Sequence, residues 1–483
     1  MTDEETHVVT AFVRHDGYVL LCRRSEHVGT YTGRWGAVSG YAEGDPDAQV
    51  LVELEEEAGF ETDAVDLVRA GSTVDVHDDD LGTHWVVHPY LFDVDDRDVT
   101  VSEEHDACEW VHATEMLRRE CVPKLWSAYD RVAPSVRSVT ADDEHGAATL
   151  SVRALEVLRD RAGVLRAEDA SPDAAVDEVG DLARRLQRAR PSMAVVENRV
   201  NRAMATADAD AASLETAAMD GINRAVRVDV DAAGRAASLV GDRSVLTLSR
   251  SGTVLRALQD ANPTEVFVAE SRPGNEGVDV VERLLADAPT TLHTDAAIGH
   301  VLATEDVDCV LVGADAVLAD GRVVNKTGTR LAAVAAAHEE VPFFVACATD
   351  KVRADDTVNL ETGRRSAVYD GDAPVDVTNP TFDVTPAHLV DAVVTERGEL
   401  DPSDVREIAD EFATLAAWRE DVDGELDGGT GASGRADSDD GTGASGRADS
   451  DDGTGASGRA DSDGGTGAGG RADNDDASGA SRR

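Results

Sequence analysis

The 483-residue chain carries a formal net charge of −51 and only three lysines, Lys124, Lys326 and Lys351. It has no basic run, which argues against direct nucleic-acid binding, and no apolar run long enough for a membrane partner. The length allows two or three domains with their own cores, and the acidic, lysine-poor surface is that of a halophilic protein, because concentrated salt screens its self-repulsion.

The five cysteines, Cys22, Cys108, Cys121, Cys309 and Cys347, show no C-x-x-C spacing and lie mostly in apolar runs. They read as reduced, buried thiols rather than a disulfide framework or zinc site. With no signal peptide at the start, a cytoplasmic location is expected.

In chain order, V-V-T-A-F-V and Y-V-L-L-C-R read as two strands around the turn His15-Asp16-Gly17. A helix is expected from Pro46 to Ala58, with Asp45 as N-cap, Pro46 at the first position and Gly59 closing it. On that helix Glu53, Glu56 and Glu57 stand at i, i+3 and i+4 and share one face. Clustered carboxylates suit Mg²⁺ or Mn²⁺; in so acidic a chain they equally suit a solvated helix face.

The string G-Y-A-E-G-D-P-D-A-Q-V-L-V-E-L-E-E-E-A-G-F resembles a Nudix box in its second half, where Glu53, Leu54, Glu56, Glu57, Gly59 and Phe60 fall on motif positions. Val52 stands at the arginine position and Gly44 where the first glutamate belongs; Gly40 and Glu43 are out of register. The resemblance implies an α/β/α sandwich over residues 1–130, with Glu53, Glu56 and Glu57 as metal ligands, Glu56 catalytic, and hydrolysis of a nucleoside-diphosphate-linked substrate. The missing arginine would normally orient those glutamates.

Residues 140–236 are rich in alanine, leucine and arginine at helical spacing and read as a helical subdomain, with function at its ends, His145-Gly146-Ala147 or Arg190-Pro191-Ser192. From 237 to 420 strands alternate with helices, which implies βαβ crossovers and a Rossmann-like, mostly parallel sheet. Polar residues ending the strands, Ser249 to Ser251, Glu270 to Arg272, Asp295 and Asp315, then fall on one edge. Asp315 follows the buried strand from Cys309. After a turn at Asp320-Gly321, Asn325 to Thr329 is expected to open a helix whose N-terminus favours phosphate. An acidic turn before a capped helix is the plainer reading. Lys326, a lysine kept in a lysine-poor chain, is a phosphate candidate, and nearby arginines suggest an anionic, polyhydroxylated ligand.

From about residue 144 to 418 the chain resembles the initiation factor 2B alpha/beta/delta family, including its ribose-1,5-bisphosphate isomerase and methylthioribose-1-phosphate isomerase branches. The match is carried by R-P-S at Arg190, A-E-S-R-P-G-N-E-G from Ala269, V-G-A-D-A-V-L-A-D-G, V-N-K-T-G-T, and N-P-T-F-D-V-T-P-A-H-L-V-D-A-V-V-T-E-R-G. It implies a phosphorylated sugar or nucleotide as ligand and a homo-oligomer through this module. It makes Asp315 the proton-transferring aspartate, and Arg190, Glu270, Arg272, Asn325 and Lys326 ligand contacts. Ser249 holds the position of the isomerases' cysteine, and a hydroxyl is a far weaker acid–base group than a thiol. Three functions follow: a Nudix-type hydrolase fused to a sugar-phosphate module, an aldose–ketose isomerase, or a non-catalytic sensor or initiation factor 2B-like subunit. Residues 421–483 are of low complexity, and from Gly429 G-T-G-A-S-G-R-A-D-S-D-D recurs with a twelve-residue period and no large apolar residue, so a disordered acidic tail is expected.

Overall fold

The strand Glu5–His15, buried continuously from Val9 to Arg14 because both its faces are covered, sets the architecture of the N-terminal module. In the computed structural model, which describes residues 5–142 and 145–419, this strand runs parallel to Thr83–Asp93 and antiparallel to Tyr18–Arg24 and Val38–Tyr41 within an eight-stranded mixed sheet. Val9, Ala11 and Val13 pack with Val50 and Leu54 of the helix Pro46–Ala58, whereas Phe12 packs with Tyr129 and Val132 of the helix Leu125–Val132. A period of two therefore feeds two cores, one on each face of the sheet. The first helix begins where Asp45 accepts the Asp47 N–H and ends at left-handed Gly59.

One expectation fails in this module. Cys22 and Cys108 are not separate thiols: they are cross-strand partners of Tyr18–Arg24 and His105–Val111, and they form a disulfide. Residues eighty-six apart in sequence are neighbours in register, which no local spacing signals. Cys121, Cys309 and Cys347 are free, the last two buried.

The helices Ala147–Ala167, Pro172–Ala189, Ala194–Thr206 and Ala211–Val240 bury Leu150, Leu155, Val179, Val196 and Leu214 in a core of their own. The last of them contributes Ile222 to that core and Ala233, Ala236 and Val240 to the core beneath the second sheet. The first module is welded to this bundle by buried charge. Arg14, 4% exposed, meets Asp93 at 2.7 Å and Glu156 at 3.0 Å. Arg159, fully buried, donates to the Gly17 carbonyl at 2.6 Å and pairs with Asp160 at 2.8 Å. Burial opposes both guanidinium charges, but the adjoining carboxylates outweigh it and raise both pKa values. Gly17, at φ 79°, lies where a Cβ would come within 2.5 Å of Ile222.

The second sheet has the order Thr290–His293, Glu265–Ala269, Ser244–Leu248, Cys309–Val312, Phe343–Ala346, Ala392–Thr395, Gly398–Leu400, parallel except for the last pair. Its direction of growth reverses between Ser244–Leu248 and Cys309–Val312, so the crevice beyond their carboxyl ends is the topological switch point. Asn325 and Lys326 do not open a helix. They end the strand Val323–Lys326, paired with Ala316–Val317 and Phe382–Thr385, and the helix runs Thr329–His338 after left-handed Gly328. Two consecutive β-branched valines and a ladder partner override the helix start read from Asn325. Among the described residues no helix is long and apolar enough to cross a membrane. The repeat region, 421–483, lies outside the described residues.

Candidate functional site

Two loops meet at the switch point. Residues after Ser244–Leu248 pack so closely on those after Cys309–Val312 that a Cβ on Gly313 would lie 2.5 Å from the Ser251 hydroxyl. Ser249, at φ 64°, donates its N–H to the Ser271 hydroxyl at 2.6 Å. Ser271 and Arg272 in turn donate their N–H groups to the Asp295 carboxylate at 2.8 and 2.6 Å. Three strand ends are thus tied into one rim, as the alternation of strands and helices leads one to expect.

Asp315 lies half-buried in this rim, with its N–H on the Val324 carbonyl at 2.9 Å. Burial raises its pKa; Lys351 and Lys326 pull it back down, and Glu361 pushes it up. Lys326 pairs with Glu276 at 2.7 Å, and the other Glu276 oxygen is buried without a partner. Asn325 donates to Thr329 at 2.9 Å, fixing the turn between strand and helix. Glu270 is half-buried at the end of Glu265–Ala269, its backbone bonded to His293 and Gly277. Arg272 is exposed and donates to Asn275 at 3.0 Å. The Arg190 guanidinium bonds the carbonyls of Val139 and Asp142, while Ser192, two residues on, donates to Glu361.

Lys351 was not singled out by sequence reasoning. It is 7% exposed and donates to the Ala314 carbonyl beside Asp315. The short helix Thr349–Lys351 that carries it is gripped from the bundle: Asp350 meets Arg199 and Arg202, each at 3.0 Å. Its rarity as one of three lysines was the signal available; its distance from every glycine-rich motif hid it.

The second cluster lies on the helix Pro46–Ala58. Glu57 is buried, accepts the Ser39 N–H at 3.0 Å, and has a pKa pushed up to about 8 by burial, with Glu104 and Glu53 adding to the rise. Glu53 is half-buried, accepts from Gln49 at 2.7 Å, and is also raised, burial first and Glu56 next among the charges that raise it. Glu56 is exposed. A Cβ on Gly40 would overlap the Glu53 carboxyl, so the adjoining strand leaves space for that side chain alone. Glu53 and Glu57, desolvated carboxylates on a glycine cradle, are the donor type a hard divalent cation takes, although with exposed Glu56 their oxygens do not all lie within 4.8 Å of one another. Val52, at the arginine position, is 43% exposed, and Gln49 takes the neighbouring contact to Glu53.

The family model for the initiation factor 2 subunit family matches residues 143–402, more than half of the chain. The chain belongs to that family. Residues 5–132 match the NUDIX domain. A ribose 1,5-bisphosphate isomerase of Haloferax volcanii is 34% identical over 60% of this chain and 97% of its own length. A methylthioribose-1-phosphate isomerase of Anaeromyxobacter sp. strain K is 34% identical over 56% of this chain and 84% of its own. Among solved structures, the Pyrococcus horikoshii translation initiation factor eIF-2B is similar at a TM-score of 0.50 and 26% identity, covering 56% of this chain and 97% of that one.

Proposed function

We propose that the C-terminal module binds an aldose 1-phosphate of the ribose-bisphosphate class across the switch point and isomerises it to the ketose. The observation that carries this reading is Asp315: a carboxyl with a pKa raised by burial, near two lysines, at the crevice where the Ser249 and Gly313 loops meet. A carboxyl held above its usual range is better suited to take up a proton and return it.

In the reaction the bond from C1 to the ring oxygen opens, the hydrogen on C2 moves to C1, and the C2 hydroxyl becomes a ketone. Its proton ends on the former ring oxygen, so composition is unchanged. Asp315 carries that proton, Lys326 and Arg272 hold phosphate, Asn325 and Glu270 contact the sugar, and Arg190 closes the site from the bundle. Ser249 faces the same ligand without a thiol's acidity. Copies of the chain associate through this module.

Product analysis of ribose 1,5-bisphosphate incubated with the purified chain in molar KCl tests the reading. A ketose bisphosphate is the expected product. Binding without a product, in both the native chain and Ser249→Cys, would instead make this module a sensor.

A second reading is favoured by the raised Glu57 and Glu53. We infer that the N-terminal module hydrolyses a nucleoside-diphosphate-linked substrate, with Glu53, Glu56 and Glu57 holding Mg²⁺ or Mn²⁺. The cation would supply Lewis-acid polarisation of the diphosphate. The Ser39 N–H fixes Glu57, and Gln49 orients Glu53 where the box arginine is missing. Release of a nucleoside monophosphate that is metal-dependent and lost in Glu56→Gln supports this; release unchanged by that substitution overturns it.

A further inference from the structure

Beside the carboxylate cluster lies a second group of ligating side chains with a different chemistry. Cys22, Cys108 and His105 each present a sulfur or ring nitrogen, all within 4.8 Å of one another. Sequence spacing hides this group, because His105 and Cys108 are three apart and a regular strand would point them to opposite faces. A bulge corrects the count: Cys108 pairs with Cys22, but His105 pairs with Arg24, the register shifting between Arg23 and Arg24. Cys22 and Arg24 are two apart, so the bulge turns His105 to the face that carries the cysteines.

His105 is 8% exposed, and its Nδ1 is buried without any hydrogen-bond partner. Its Nε2 lies 3.9 Å from the Glu57 carboxylate. A buried imidazole with an unused nitrogen on one side and a carboxylate on the other, at 3.9 Å a small rotation short of a hydrogen bond, approaches the arrangement in which an outer carboxylate orients a metal-binding histidine.

We propose that Cys22, Cys108 and the Nδ1 of His105 form a soft-metal site of the Zn²⁺ class, separate from the hard-cation carboxylates, which is open in the dithiol state and closed by the disulfide. Ligands on a tetrahedral zinc shell of about 2.0–2.3 Å stand roughly 3.3–3.8 Å apart, a spacing that small side-chain rotations reach from the present one. Two thiolates and an imidazole select zinc over magnesium, and a water fills the fourth position. Opening the site needs a dithiol reductant: its two thiols pass two electrons and two protons to the Cys22–Cys108 bond, giving two protein thiols and the reductant's own disulfide. Metal binding then releases the two thiol protons. Cys108, half-buried, gives access to the pair.

The test is a Co²⁺ titration of the full chain in molar KCl, before and after reduction with a dithiol that is then removed under nitrogen. The reduced chain is expected to develop thiolate-to-cobalt charge-transfer absorption that saturates at one ion per chain. Zinc should bleach it and excess Mg²⁺ should not. The oxidised chain should show none. Cys108→Ser should lose the band, and Glu57→Gln should weaken cobalt affinity by about tenfold to a hundredfold. A reduced chain with all thiols titratable and no such band would overturn the proposal, as would a band that survives Cys108→Ser. Should Cys108→Ser fail to fold, the redox comparison on the native chain decides alone.

Discussion

Glu57 and Asp315 are both carboxyls displaced upward by burial, yet their surroundings differ in kind. Around Glu57 the carboxylates Glu104 and Glu53 add to the rise, and Arg24 opposes it less strongly. Around Asp315 two lysines oppose the desolvation. The first environment leaves a negative charge to be met from outside, by a proton or a cation. The second meets it with cations of the fold itself. The metal-binding role proposed for Glu57 and the proton-transfer role proposed for Asp315 would then both rest on burial, divided by the counter-charges the fold supplies.

The largest effect expected from breaking this contrast is in Asp315→Asn, which keeps the shape and removes the titrating proton. Ketose formation should fall about a hundredfold to ten-thousandfold, with ligand affinity measured by calorimetry changing far less. Arg159→Ala strikes the junction between the first module and the bundle instead. It leaves Asp160 and the Gly17 carbonyl buried without their partner, and chemical denaturation should show a loss of about 3–5 kcal/mol.

Glu57 predicts a pH dependence with a definite sign. The folded chain keeps its proton up to about 8, whereas the unfolded chain gives it up at the ordinary glutamate value. The folded state therefore binds the extra proton between those values, and stability falls as pH rises through that window. Thermal unfolding without divalent cations should show the fall, Mg²⁺ should reduce it at the alkaline end, and Glu57→Gln should flatten it. Gly40→Ala is a milder probe: its methyl group displaces the Glu53 carboxyl, so Mg²⁺ affinity by calorimetry should drop while the melting temperature barely moves. Ser249→Cys, smallest in effect, should raise ketose formation on the order of tenfold.

Much of this was legible in the chain. The strand pair around His15-Asp16-Gly17, the Asp45 and Gly59 caps and the strand–helix rhythm after Ser244 follow from local rules. Those rules also put Ser249, Ser271, Asp295 and Asp315 on one edge. What local rules miss is pairing. The cysteine disulfide and the face of His105 depend on a bulge between strands far apart in sequence. Asn325 was misread because Val323 and Val324 pair with Phe382–Thr385 rather than leading into a helix. Lys351 reaches Asp315 only because Asp350 is held by arginines from another subdomain.

The most direct test of two separate centres is a crossed assay of Asp315→Asn and Glu57→Gln, reading ketose formation from an aldose 1-phosphate and nucleoside monophosphate release from a nucleoside-diphosphate-linked substrate. Each variant should lose one reaction and keep the other. A substitution that abolished both in a fully folded chain, or neither, would contradict the division of labour between these two carboxyls.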